Sequence, residues 1–345
     1  MKNIFKIIVL VFVASTMFAQ QDEELEVKGN VLFKDQVNSM KPPVPIINVP
    51  QAVSIVTDED ILDQGFRALG DIVRYVPGIH TTQGEGHRDA VVIRGVRTTA
   101  DFYQNGLRDD VQYYRSLYNV EQVEVLKGPN ALLFGRGGTG GLINRVSKKA
   151  LIGETFTNMN VGFDSFGAGD FAVDGNIEVN DSVAFRLMVH SDSLANHRDQ
   201  YDGDRFGINP TMTFAVNSET EIGLSFEYLD HERYIDRGIP TSIIGGASTS
   251  ASRPVDALNH ITYGTDGNVH TTEASILTGT LVHNYSDSGK INLTVSSNDF
   301  NKMYQNLYVN SYDGTNVQLK GYNDVTLRET TCLLYTSPSP RDFEA

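Results

Sequence analysis

A single cysteine, Cys332, stands among the 345 residues. That excludes a disulfide framework, a cysteine-based metal site and a lipid-bearing cysteine behind an export signal. No segment supplies the roughly 20 apolar residues that a membrane-spanning helix needs. The 8 histidines are scattered, and none has the His-x-x-x-His or Glu-x-x-His spacing of a helical metal site. No serine lies in a Gly-x-Ser-x-Gly elbow, and no Gly-Lys-Ser/Thr closes a phosphate loop. With no catalytic constellation, the chain is not expected to be an enzyme. A net charge of −15 argues against nucleic-acid binding.

What is present begins with an address. Lys2 and Lys6 precede an apolar run from Ile7 to Val13, and small or polar residues lead to Ala19. This is the pattern of a secretory signal peptide over residues 1–19. Residues 20–44 form a polar leader that ends in the hinge Lys41-Pro42-Pro43-Val44-Pro45, where proline favours extended backbone. Residues 45–150 read as a compact α+β domain. The pattern predicts strands over 53–56, 90–94, 120–126 and 142–146, a helix over 58–64 capped by Thr57, and a second helix over 67–75 stopped by Pro77-Gly78.

From Thr155 the period changes to two. Phe171, Val173, Ile177 and Val179 fall on one face, while Asp170, Asp174, Asn176 and Glu178 fall on the other. Val183, Phe185, Leu187 and Val189 repeat the pattern after the turn at Asn180-Asp181-Ser182. Further such segments follow around Phe206 to Val216, Ile222 to Tyr228 and Ile291 to Val295. Short and long connections alternate, as they do between the two ends of a transmembrane barrel. The polar face carries more charge than a dry sandwich core could neutralise, whereas a water-lined lumen accepts it. The expected fold is an α+β plug domain inside a transmembrane antiparallel β-barrel, of which about eight strands lie within residues 151–331.

Two motifs need weighing. Gly135 to Gly140 matches the letters of a dinucleotide fingerprint, but the following residues 142–146 read as a strand rather than the required helix. An exported dinucleotide-binding enzyme is the different-class alternative that this leaves. Arg97, Tyr113 and Tyr114 lie on expected loops, where charge and ring stacking could hold an anionic aromatic ligand. Salt bridging of the neighbouring arginines to Asp101, Asp109 and Asp110 is the competing structural reading, and it is the favoured one for Arg94.

The domain at 45–150 resembles the plug of TonB-dependent outer-membrane receptors. The resemblance rests on Val49-Pro50-Gln51-Ala52-Val53-Ser54-Ile55-Val56-Thr57, on Ile93-Arg94-Gly95 and on Asn105-Gly106-Leu107. Most specific is the run from Val120 to Pro129, continued through Phe134-Gly135-Arg136-Gly137 to Asn144. Gly106 to Asp110 with Tyr113-Tyr114-Arg115 is similar to the catecholate-siderophore branch. The resemblance implies a receptor in the cell outer membrane that imports a ferric siderophore, with haem or cobalamin as alternative cargoes. Its implied partners are the siderophore, the TonB protein of the inner-membrane energising complex and outer-membrane lipid. Iron would travel inside the substrate, so no cofactor is implied. Glu24, Leu25, Glu26, Val27 and Lys28 are the TonB-box candidate, because an extended polar segment can add to a partner as a strand. Arg97, Tyr113 and Tyr114 are the implied ligand contacts at the plug apex. A plugged barrel of this family has about 22 strands, so on the order of 300 further residues would be needed. Residues 332–345 break the alternation and read as a non-native tail.

Overall fold

The computed structural model describes residues 36–37, 44–45, 51–82, 84–109, 111–129, 134–135, 138–242, 253–254, 259–286, 289–312 and 315–336. The TonB-box candidate Glu24 to Lys28 and the signal segment lie outside the described residues. Among the described residues no helix is long and apolar enough to cross a membrane.

Strands β1 (Gln36–Val37) and β2 (Val44–Pro45) pair antiparallel. Val37 is fully buried with Tyr103, Leu126 and Leu142, so this stretch of leader docks on the domain that follows. That domain opens with β3 (Ala52–Thr57), which runs into helix α1 (Asp58–Asp63). Thr57 accepts from the Asp60 amide at 3.2 Å, and Asp60 accepts from the Thr57 amide at 2.9 Å, a reciprocal cap. Helix α2 (Leu69–Val73) is shorter than its periodicity suggests. Asp71 accepts from the Arg67 and Ala68 amides at 3.1 Å each, which fixes the helix start, and Ala68 bridges to Ser116 in extended form.

Next come β4 (Ile79–Thr81), β5 (Val91–Ile93), β6 (Val96–Thr98), β7 (Phe102–Gln104), β8 (Leu107–Arg108), β9 (Val120–Lys127) and β10 (Gly141–Ser147). They form a five-stranded sheet of order β3-β9-β10-β7-β8 and a three-stranded sheet β4-β5-β6. Among the described residues of these sheets only the β10–β7 pairing is parallel. Both hairpin tips use two successive left-handed residues, Arg94-Gly95 at φ 48° and 85°, and Asn105-Gly106 at φ 52° and 79°. That is the twist-matched two-residue turn. Leu69, Ile72, Ile93, Phe102, Val123, Val125 and Ile143 make the core between helices and sheets.

The second unit is an eight-stranded antiparallel sheet in simple sequence order. Its strands are β11 (Phe156–Phe163), β12 (Gly169–Asn180), β13 (Val183–Ser193), β14 (Gly203–Asn217), β15 (Thr220–Tyr234), β18 (Val269–Ser286), β19 (Gly289–Tyr312) and β20 (Val317–Thr336). The minor pair β16 (Thr241–Ser242) and β17 (Arg253–Pro254) sits in the long connection after β15. The expected parity holds. Ile177, Val179, Val216, Leu224, Leu277 and Leu327 are exposed, while Asn176, Arg186, His190, Asn209, Glu227, Thr272 and Lys302 on the opposite face are buried. An apolar outer face with a polar inner face belongs to a barrel wall in lipid. Pairing continues past Thr331, where the sequence pattern suggested a break. Leu333 lies opposite Val295 and Tyr335 opposite Leu293, which keeps Leu333 and Tyr335 on the exposed side.

Candidate functional site

The first domain sits against the polar face of the sheet, and the join is made by charge. Arg186 grips Asp174 with two bonds of 2.7 Å, and Lys148 reaches the same carboxylate at 2.9 Å. Lys149 meets Glu221 at 3.3 Å, and Arg67 pairs with Asp170. Thr213 donates to the Ala150 carbonyl at 2.7 Å, and Asn176 donates to the Leu151 and Glu154 carbonyls at 2.8 and 2.7 Å. The chain leaving β10 is therefore stitched to the wall before β11 begins. Gln104 donates to Glu227 at 3.2 Å, and Asn119 donates to Asn209 at 3.2 Å.

At the centre of the plug lies a buried charge knot. Arg115 is fully buried; its Nε donates to Asp109 at 2.8 Å, and its Nη2 donates to the Asp109 and Val111 carbonyls at 2.9 and 2.8 Å. Its guanidinium lies over the Phe102 and Tyr113 rings, 4.2 and 4.6 Å from their centroids. Arg145 also reaches Asp109, at 2.8 Å, and Asp89 accepts from the Arg115 amide at 3.0 Å. Burial works to raise the Asp109 carboxyl, but Arg115 and Arg145 outweigh it and hold the group below its ordinary value. At Asp89 burial wins over the attraction of Arg115, and the carboxyl is raised.

The expected ligand residues part company here. Tyr113 is 1% exposed, donates to Asp109 at 3.0 Å and packs on Phe300 of the wall at 5.6 Å. It belongs to the knot. Tyr114 is half-buried, with the Arg233 guanidinium 4.1 Å from its ring centroid. Arg97 is exposed on β6, opposite Val92. The expected ion pairs of this region are also redistributed. Asp101 meets Arg108 at 3.6 Å and Asp109 meets Arg115 and Arg145, whereas Arg94 occupies a hairpin tip.

Near these residues the structure assembles a polar crown that sequence reading did not single out. Arg88 donates to Gln112, and Gln112 donates to Thr99 at 3.4 Å, so the turn at 84–88, the end of β6 and the segment carrying Tyr113-Tyr114 are joined. From the wall, Arg237 follows β15 at the end of the sheet that carries the long connections. It donates to Tyr304 at 2.9 Å and lies over the Tyr308 ring at 4.4 Å. Glu85 lies between the two arginines, 3.3 Å from Arg88 and 3.9 Å from Arg237. His87 stacks on Tyr304 at 3.8 Å. Arginines with aromatic neighbours suit a ligand that is both anionic and aromatic. Among the described residues no group of three or more His, Cys, Asp or Glu could hold a metal ion.

A mixed domain filling the polar side of a lipid-facing antiparallel sheet defines a plugged outer-membrane β-barrel receptor. Residues 45–142 match the family model described as TonB-dependent Receptor Plug Domain. The chain is 31% identical over 299 residues to "Probable TonB-dependent siderophore receptor PiuA" of Acinetobacter baumannii, covering 84% of this chain and 38% of that protein. It is 28% identical over 268 residues to "Catecholate siderophore receptor Fiu" of Escherichia coli strain K12, covering 72% of this chain and 34% of that protein. The crystal structure of PiuA superposes with a TM-score of 0.78 at 27% identity, covering 85% of this chain and 43% of that one. The open form of Fiu gives 0.74 at 23% identity, with 84% and 46% covered, which speaks for the fold. The chain belongs to the TonB-dependent receptor family, and it spans less than half the length of these relatives.

Proposed function

We propose that the full-length protein imports a ferric siderophore of catecholate type across the outer membrane, with energy delivered by TonB. The observation that carries this reading is the pair of partly exposed arginines, Arg88 and Arg237, with the Tyr308 ring under the Arg237 guanidinium, beside a plug closed by the buried Arg115–Asp109–Arg145 knot. Catecholate oxygens around ferric iron carry negative charge, and their rings are flat. Guanidinium groups and tyrosines answer both properties. The knot explains why the ligand cannot simply diffuse through: this part of the lumen is packed and internally paired. Arg97, exposed on β6, remains our candidate contact from the plug, and Tyr114 one that Arg233 holds in place. Tyr113 would enter contact only if the knot opened. Glu24 to Lys28 is the segment we assign to TonB. Residues 45–150 are taken as the plug and 151–331 as the first part of the barrel.

The test is uptake of iron-59 as a ferric catecholate by cells whose only such receptor is the full-length protein. Uptake should require TonB, and deletion of Leu25 to Lys28 should abolish it while surface binding persists. Uptake without TonB, or preferred binding of haem or cobalamin in competition, refutes the reading.

A further inference from the structure

The turn that carries Glu85 is built against ordinary backbone preference. Gly84, Glu85 and Gly86 are left-handed in succession, at φ 60°, 62° and 79°. Glycine adopts that region without steric cost, whereas the Cβ of glutamate is strained there. Something must hold Glu85 in place. On the wall side the turn is wedged: a Cβ added to Gly86 would lie 2.7 Å from the Asp236 carbonyl oxygen and 2.9 Å from Ile235. Asp236 is in turn fixed by Arg198 at 3.0 Å, and the Gly238 amide donates to it at 2.8 Å. On the other side the Glu85 carboxylate faces Arg88 and Arg237 at 3.3 and 3.9 Å. The Glu85 side chain is 36% exposed, against 14% for Arg88 and 22% for Arg237. The carboxylate is thus open to solvent, and the two cations it faces are the more enclosed partners.

We infer that Glu85 is an internal stand-in for the ligand's negative charge, and that an incoming anionic chelate displaces it from Arg88 and Arg237. The inference rests on the reading of the crown given above and adds a coupling to it. With the ligand's oxygens on the two guanidiniums, the Glu85 side chain loses the charges that offset its left-handed backbone. The turn at 84–86 then relaxes, and the wedge of Gly86 against Asp236 loosens. Occupancy at the outer mouth is converted into a weaker plug-to-wall contact at a place the ligand does not touch. Arg88 carries the change further, because it also donates to Gln112, next to Tyr113 of the buried knot. The displacement moves no proton and breaks no covalent bond; it exchanges one carboxylate for another anion.

The test compares full-length protein with its Glu85→Gln variant, using the ferric complex of 2,3-dihydroxybenzoate as probe. The substitution keeps the shape of the side chain but removes the competing charge. The variant should bind the probe about fivefold more tightly at low salt, as expected for an exposed ion pair, and the gain should shrink as salt rises. Amide exchange at residues 84–90 should be faster in the unliganded variant than in the unliganded parent, and the probe should speed it in the parent but not in the variant. Unchanged or weaker binding by the variant overturns the inference, since a direct contact or a purely structural Glu85 gives that result. If the parent does not bind the probe, the siderophore reading fails instead. The exchange comparison of the two unliganded proteins then decides on the role of Glu85: equal rates overturn it.

Discussion

Replacing Arg115 by methionine should open the plug more than any change at the crown. The side chain is fully buried, and it pairs with Asp109 at 2.8 Å and Asp89 at 3.4 Å. Methionine fills most of the volume but leaves Asp89 without its nearest cation and Asp109 with Arg145 alone. Removing one partner of a buried ion pair costs about 3–5 kcal/mol, chiefly because the remaining charge is stranded. The three carbonyls of Asp109, Val111 and Tyr113 that the guanidinium serves also lose a donor. Amide exchange in β9 and β10 reads the opening free energy directly, and it should accelerate by about two to three and a half orders of magnitude. A second substitution, Asp89→Asn, should return part of the loss if a stranded carboxylate is its source, because Asp109 keeps Arg145 at 2.8 Å, and the double-mutant cycle isolates that term. The pH dependence has a defined sign. Asp89 is raised in the folded protein, so its contribution improves as pH falls toward the ordinary carboxylate range. Asp109 is lowered, so its stabilisation is present above that range and is lost only at lower pH. Without Arg115 the Asp89 effect grows, and mild acidification should slow exchange in the variant. Acceleration of less than tenfold, or no recovery in the double variant, would refute the role of the knot.

Four further outcomes follow from the geometry. Leu224→Arg places a charge on the outward apolar face, where Leu224 is 47% exposed, and should cost about 2–4 kcal/mol if the site is near the bilayer midplane; the folded fraction in liposomes measures it, and equal loss in the lumen-side variant Thr278→Arg would contradict the facing. Gly141→Ala drives a methyl group into the Leu126 carbonyl oxygen at a position with φ 146°, so it should cost more than about 3 kcal/mol by plug proteolysis. Gly153→Ala has nothing within 4 Å and should cost only about 1 kcal/mol for its positive φ. Burial first, then Lys302 and Arg88, lowers His87 from 6.5 to about 3, so the plug contact should weaken as pH falls from 6.5 toward 3 and His87→Phe should flatten that dependence. Amide exchange at residues 84–90 across that range checks it.

Much of this architecture was legible because burial writes a period into the chain. The wall strands announce themselves through residues such as Ile177 against Asn176, and Phe185 against Arg186, since one face meets lipid and the other meets the plug. The capped helix at 58–63 was readable from Thr57 and Asp60. The small plug strands β4, β6, β7 and β8 were not, because two or three residues are too few for a period. Asn105-Gly106 did carry a usable signal: that pair at positive φ is the turn of a two-residue hairpin, here β7–β8. The site was harder to read. Tyr113 and Tyr114 look alike in sequence, yet one is sealed by Asp109 and Phe300 and the other lies under Arg233. Arg237 follows β15 and Tyr304 and Tyr308 lie on β19, all far from the plug in sequence, and only the packing of plug against wall brings them to Arg88 and Glu85.

The simple order of the wall bears on how it is made. Each wall strand pairs with its successor in the chain, so every added hairpin is local, with tight turns at one end of the sheet and longer connections, such as the one that carries β16 and β17, at the other. The plug is the opposite case, since β3 must wait for β9 some 70 residues later before it has any partner in the sheet. Yet the plug comes first in the chain, and the wall exposes Arg186, Arg205 and Lys302 on its inner side until something covers them. Those three cations pair along the wall itself, with Asp174, Asp192 and Asp324, while the plug brings Lys148 to Asp174, Lys149 to Glu221 and Arg67 to Asp170. In assembly, then, a plug folded first would meet β12 and β15 with cations for their carboxylates and so would set where the wall begins.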